Sequence, residues 1–230
     1  MKVMVLGSTG LTGGLLVKKL LANPDITTVV APVRRTLEWR HPNLESPVID
    51  FDDMGAHAGI FDVDVLVCCL GTTIKKAGSQ EAFRKVDYSY ALNAARLAKE
   101  AGAQACILMS AIGASSRSSV FYSRVKGELE DALRALEFSS LSIYQPSLLL
   151  GQRQEHRTAE SLGMAVMPVA NRALVGALRK YRAIEADTIA AAMANEMPEI
   201  GADRSVGKVV SVRQYADIVT LANSGRNGAA

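Results

Sequence analysis

Along the chain, short unbroken apolar runs alternate with stretches whose apolar residues recur every three to four positions. Val3-Met4-Val5-Leu6, apolar throughout and closed by Gly7, reads as a strand buried on both faces. Residues 11–22 follow with Leu11, Leu15, Leu16 and Leu20 on one side and Lys18 and Lys19 on another, a helix stopped by Asn23-Pro24. Further strands are expected at 27–33, 47–51, 63–70, 105–109 and 141–144, and long helices at 79–101, ended by Gly102, and at 119–137. Strands alternating with helices at these spacings make βαβ units and a mostly parallel sheet with right-handed crossovers.

After Pro146 the rhythm changes. Residues 151–182 scatter Gly, Pro, Arg and His, a helical pattern opens at Asp187 and runs to about Met197, and 206–212 reads as a strand with a helix behind it. The expectation is one α/β domain over 1–230, a doubly wound parallel sheet of Rossmann type. Within it, 151–222 forms a small C-terminal subdomain on the substrate side and 223–230 a disordered tail.

Composition narrows the class. At 49% hydrophobic and 21% charged residues the chain is too apolar for disorder. The net charge of +3 comes without a basic block, so no nucleic-acid partner is expected. No apolar run reaches the ~20 residues of a membrane span, and the N-terminal apolar run ends too soon for a signal peptide, so neither membrane nor export is expected. The three cysteines cannot form a disulfide framework, and Cys68, Cys69 and Cys106 fall in expected core strands, which points to a reducing, cytoplasmic setting. His41, His57 and His156 lack metal-ligand spacing, and no metal site is expected.

The first candidate chemistry lies between the first strand and first helix, where Gly7, Gly10 and Gly13 form G-x-x-G-x-x-G. Glycine is needed there for a tight turn and for the close approach of a pyrophosphate to helix N-terminal amides, so Gly7, Ser8, Thr9, Gly10, Leu11, Thr12 and Gly13 are the expected phosphate loop. At the end of the second strand, where NAD-binding folds place an acidic residue, the chain has Arg34 and Arg35. Two permanent guanidinium charges suit a 2′-phosphate, which favours NADP(H) over NAD(H).

Tyr122 and Lys126 stand four residues apart at the start of an expected helix, on one face. Ser110 follows the fifth strand, at the carboxyl edge where open α/β sheets bind ligands. A nearby ammonium favours a phenolate, which equips a tyrosine as general acid in carbonyl reduction or base in alcohol oxidation. In this reading Ser110 holds the substrate oxygen and Lys126 also reaches the cofactor ribose.

Taken in order, Gly7-Ser-Thr-Gly-Leu-Thr-Gly13, Cys68-Cys-Leu-Gly-Thr-Thr73, Lys85-Val-Asp-Tyr88, Tyr122-Ser-Arg-Val-Lys-Gly-Glu128 and Ser147-Leu-Leu-Leu-Gly-Gln-Arg-Gln-Glu-His-Arg157 resemble the atypical short-chain dehydrogenase/reductases. Within that group the chain is similar to the NADP-binding family of the Tat-interacting protein and its bacterial NAD(P)-binding relatives. The resemblance spans about residues 1–160. It implies that Asp50 and Phe51 flank the adenine, that Leu70, Gly71 and Thr72 line the nicotinamide side, and that Pro146 and Ser147 close over it. It also marks departures: Cys-Cys-Leu-Gly replaces an Asn-rich stretch after the fourth strand, Asp87 occupies the slot of a helix asparagine, and Gln145 precedes Pro146 where many relatives carry arginine. The main reading is an NADP(H)-dependent oxidoreductase for a small carbonyl or hydroxyl substrate. The alternative is an NADP-binding regulatory or scaffold protein whose surface a protein partner reads. Oligomeric state stays open, as does the role of Arg153, Glu155, His156 and Arg157.

Overall fold

Strand β1, Lys2–Leu6, lies inside the sheet between two neighbours, which is why its apolar run carries no polar alternate. The computed structural model describes residues 1–151, 174–202 and 208–225. The other strands are β2 (Thr28–Val30), β3 (Leu44–Glu45), β4 (Val65–Cys68), β5 (Ala105–Met109), β6 (Ser140–Tyr144), β7 (Leu149–Leu150), β8 (Ile184–Glu185) and β9 (Val209–Arg213). Seven of them form one sheet in the order β3-β2-β1-β4-β5-β6-β9, and each adjacent pair is parallel. Winding reverses between β1 and β4, so the carboxyl ends of these strands flank the crevice where sheets of this class bind ligands.

The helices are α1 (Leu11–Leu21), α2 (Ile74–Ala77), α3 (Gln80–Arg84), α4 (Ala91–Glu100), α5 (Phe121–Arg134), α6 (Ala186–Ala202) and α7 (Tyr215–Ser224). Alternate residues of each strand point to opposite faces, and both faces are apolar. Met4, Leu6, Leu66, Cys68 and Leu108 pack with α4 and α5, whereas Val3, Val5, Val65, Val67 and Ile107 pack with α1, α6 and α7. Of the expected C-terminal lobe, β8, which pairs with β7 just ahead of the lobe, and a 3-10 turn at Gly176–Tyr181 lie outside the main sheet, while β9 is the main sheet's edge strand. Asn223 and Ser224 close α7, so the chain is still helical where the tail was expected to begin.

Two elements differ from expectation. The strand expected over 47–51 is reduced to one bridge, Val33 to Val48, beyond the short β3. Pro32 and Pro47 have no N–H to donate, which breaks the ladder. Asp50 then caps a 3-10 segment, Phe51–Phe61, by accepting from the Asp52 amide at 2.8 Å. The helix expected over 79–101 does begin at Ser79, whose hydroxyl accepts from the Ala82 amide, but a π-helical turn, Lys85–Tyr90, separates α3 from α4. Among the described residues no helix is long and apolar enough to cross a membrane.

Candidate active site

The turn after β1 has the geometry of an anion cradle. Gly7 has φ +79°, and a Cβ there would lie 2.5 Å from the Cys69 carbonyl oxygen. A Cβ at Gly13 would lie 2.2 Å from the Gly7 carbonyl oxygen, so α1 sits tightly on the loop. Gly10 is the N-cap of α1, has no side chain to satisfy the first-turn amides, and no acidic residue stands in that turn. Ser8 Oγ and Thr12 Oγ1 are buried and have no hydrogen-bond partner within the described protein. Unfilled amides at a helix N-terminus, with two orphaned hydroxyls beside them, fit a pyrophosphate. Leu11 packs under Gly151, where the chain leaves β7 and passes over this helix start.

Arg34 and Arg35 are exposed just beyond the β2 exit, and among the described residues neither is paired with a carboxylate. Asp50 is exposed, and Phe51, expected with it beside the adenine, turns its ring inward. Its ring is 7% exposed, lies in the core on the α4 side and contacts Tyr90 at 5.7 Å between centroids. The 3-10 turn that begins at Phe51 directs it inward.

Leu70, Gly71 and Thr72 leave the end of β4, and the Thr72 amide donates to Asp87 Oδ2 at 2.8 Å. Asp87 lies on the π-helical turn, and its Oδ1 is 2.8 Å from Lys126 Nζ, with the two side chains 1% and 5% exposed. Burial works against the Lys126 ammonium, but the Asp87 carboxylate and the Tyr122 hydroxyl outweigh it and hold its pKa above the usual lysine value. Tyr122 is one turn earlier on α5, open to solvent, with its ring 5.7 Å from that of Phe83. The structure therefore brings Tyr122, Lys126 and the loop at 70–72 together, and Asp87 is the residue that joins them.

Ser110 does not join them as expected. It follows β5, but its side chain is buried and donates to Glu130 Oε1 at 2.5 Å. Gln145 Nε2 donates to both oxygens of the same carboxylate, at 3.0 and 3.1 Å, and Gln214 Nε2 donates to Gln145 Oε1 at 3.2 Å. A carboxylate on α5 thus takes the hydroxyl that was assigned to substrate. Sequence reading missed Glu130, although Tyr122, Lys126, Glu130 and Arg134 recur every fourth residue and so form one stripe on α5. Pro146 ties the exits of β5 and β6, its carbonyl accepting from the Ile112 amide at 2.9 Å. The Ser147 hydroxyl donates to the Arg182 carbonyl. Arg153, Glu155, His156 and Arg157 lie outside the described residues.

Burial pushes the thiol of Cys68 up to about 11 and those of Cys69 and Cys106 higher still, so none is suited to act as a nucleophile near neutrality.

Comparison with known proteins agrees with this geometry. A family described as NAD(P)H-binding matches residues 7–144. Protein HTATIP2 of Rattus norvegicus is 40% identical over 164 residues, covering 70% of this chain and 67% of the relative. Protein FMP52, mitochondrial, of Candida albicans is 34% identical over 172 residues, covering 72% of this chain and 75% of the relative. Among solved structures, a UDP-glucose 4-epimerase with UDP-glucose from Thermotoga maritima superposes with TM-score 0.67 at 15% identity, over 97% of this chain and 82% of that one. MoeE5 in complex with UDP-glucose and NAD gives TM-score 0.66 at 13% identity, over 99% and 82% respectively. Likeness at these identities is a likeness of fold.

Proposed function

The chain belongs to the NAD(P)H-binding family within the atypical short-chain dehydrogenase/reductases, and from that premise we propose that it is an NADP(H)-dependent oxidoreductase interconverting a carbonyl and an alcohol. The observation that carries the proposal is a solvent-open tyrosine, Tyr122, one helical turn from a buried, charged Lys126 that is joined through Asp87 to the loop at 70–72. A bound dihydronicotinamide would supply the hydride. The first-turn amides of α1, with Ser8 and Thr12, would hold the pyrophosphate. Tyr122 would give its hydroxyl proton to the carbonyl oxygen, and the Lys126 ammonium would stabilise the phenolate left behind. Asp87 keeps that ammonium in place and anchors Thr72. Three buried free thiols suit a reducing compartment such as the cytoplasm.

Tyr122→Phe tests the proposal. We expect turnover to fall by about 10²–10⁴-fold, the usual weight of general acid–base catalysis, while NADPH affinity stays within about twofold. Full turnover in the phenylalanine variant would overturn it. The second reading, an NADP-binding scaffold, is favoured by the engagement of Ser110 with Glu130, which takes the serine out of the expected constellation. On that reading the wild type reduces no carbonyl compound, and Tyr122→Phe leaves partner binding intact.

Arg34 and Arg35 carry the preference for the phosphorylated dinucleotide. Replacing both by alanine should weaken NADPH by roughly 10–100-fold, as expected for the loss of charge-assisted bonds of about 1.5–3 kcal/mol. NADH binding should be unchanged. Titration of both nucleotides against both proteins decides this, and equal affinity for NADH and NADPH in the wild type would contradict it.

A further inference from the structure

The 3-10 turn at Gly176–Tyr181 and the residues that carry it into β8 hold Arg179, Lys180 and Arg182 against a single acid, Glu185. Two of these cations converge on one side chain. The guanidinium carbons of Arg179 and Arg182 each lie 5.8 Å from the centre of the Tyr215 ring, in the first turn of α7. That distance is the outer limit of cation–π attraction, so the ring compensates two repelling charges only weakly. Carboxylates do not compensate them either. Asp187 pairs with Lys19, Glu196 is taken by Arg213, Ser142 and Tyr144, and Asp217 accepts from the Gln214 amide. Among the described residues neither Arg179 nor Arg182 forms an ion pair. Arg182 Nε donates to the Leu174 carbonyl at 2.8 Å, which orients its fork and leaves the terminal nitrogens without an acceptor among the described residues. Arg179 is exposed, and all of its donors are free in the same sense.

The cluster is fastened to the carboxyl edge of the sheet, where folds of this class bind ligands. Tyr215 follows the end of β9. Ser147, at the exit of β6, donates to the Arg182 carbonyl, and the Ile184 amide donates to the Leu148 carbonyl at 2.9 Å. From Gln214, next to Tyr215, hydrogen bonds run through Gln145 and Glu130 to Ser110 at the exit of β5. In the sheet β9 stands four strands from β1, about 19 Å at the usual strand spacing. The cluster is therefore not placed to hold the dinucleotide's pyrophosphate, and it is farther still from Arg34 and Arg35. Paired guanidinium donors match the oxygens of a phosphate or a carboxylate. We infer that Arg179 and Arg182 form an oxyanion site, and that the phosphate or carboxylate it takes is carried by the substrate. The assignment to substrate rests on the oxidoreductase reading above, whereas the oxyanion site does not.

Titration of the full chain with inorganic phosphate and with acetate tests the site, with NADP⁺ present, ionic strength held constant and arginine side-chain NMR signals as the readout. We expect saturable binding, weakened by about 10–100-fold in Arg179→Ala, as for loss of a charge-assisted hydrogen bond. Arg179→Lys keeps the charge without the fork and should recover only part of that loss. Lys180→Ala removes the same charge one residue away, from a side chain that lies over Tyr181, and should weaken binding by less than about threefold. Arg179 and Lys180 are both exposed, so neither change should lower the melting temperature. No saturable binding, or equal losses in Arg179→Ala and Lys180→Ala, would overturn the site. Reduction of succinic semialdehyde, glycolaldehyde phosphate and uncharged butanal with NADPH tests the assignment to substrate, and the first two separate carboxylate from phosphate. At least one charged aldehyde should exceed butanal by about 10-fold or more in kcat/KM, and Arg179→Ala should erase that advantage through KM with kcat retained. Equal turnover of all three, or of none, would overturn the assignment to substrate. A preference for a charged aldehyde that survives Tyr122→Phe at full turnover would leave this inference standing and remove the tyrosine mechanism. Loss of turnover in that variant without any such preference would do the reverse.

Discussion

Lys126→Met should destabilise the protein by about 3–5 kcal/mol, the loss expected when one partner of a buried ion pair is removed and the other charge stays behind. For a chain of this size that corresponds to a fall of roughly 6–20 °C in melting temperature. Asp87 is 1% exposed on its side chain, so water cannot replace the missing ammonium. Asp87→Asn should also destabilise, because it leaves the Lys126 charge unpaired, although an amide oxygen can still accept from Thr72. The double variant, neutral at both positions, should recover most of the loss, and the size of that recovery measures the pair. The pH dependence has a definite sign. Lys126 has a folded-state pKa above the usual lysine value of ~10.4, so its contribution is whole at neutral pH and is lost only as pH rises beyond that range. Thermal melts of the four proteins at neutral and alkaline pH test both statements. A double variant no more stable than Lys126→Met would show that the two charges do not depend on each other.

That pair also marks where sequence reading stops. The core strands and the glycine turn were legible because β1 and β4–β6 are apolar runs bounded by glycine or polar residues, and such runs have few other ways to fold. Tyr122 and Lys126 were legible because helical spacing alone puts them on one face. The ion-pair partner of Lys126 was not, since Asp87 belongs to another element and is placed by a π-helical turn inside an apolar pattern that reads as unbroken helix. Ser110 shows the same division: its position after β5 followed from the pattern, but its direction is decided by Glu130 and Gln145, which approach from α5 and from the exit of β6. On the opposite face of the sheet, Ser142 and Tyr144 each donate to Glu196 at 2.6 Å. Ser142 and Tyr144 are alternate residues of one strand, and polar atoms at that spacing in a core strand already imply a shared buried partner. The inward direction of the Phe51 ring was not legible either, since it follows from the 3-10 turn that begins there.

Gly13→Ala should reduce NADPH affinity by about 100-fold or more, through displacement of the amides that meet the pyrophosphate. A methyl group at Gly13 would lie 2.2 Å from the carbonyl oxygen and 2.8 Å from the carbonyl carbon of Gly7, and 3.2 Å from the Ser8 nitrogen. All three are backbone atoms, so no side-chain rotation can make room. Gly7 cannot retreat either, because its own Cα faces the Cys69 carbonyl at the end of β4. The first turn of α1 must move outward instead, and overpacking of this kind costs about 1–3 kcal/mol of stability. Gly59→Ala is the matched control: it has nothing within 4 Å of an added Cβ, and its effect on stability should stay within ~0.5 kcal/mol, with NADPH affinity unchanged. Nucleotide titration of folded Gly13→Ala separates loss of affinity from loss of fold. If that variant binds NADPH as tightly as its parent, the amides of α1 do not hold the pyrophosphate, and the dinucleotide must lie elsewhere on the carboxyl edge of the sheet.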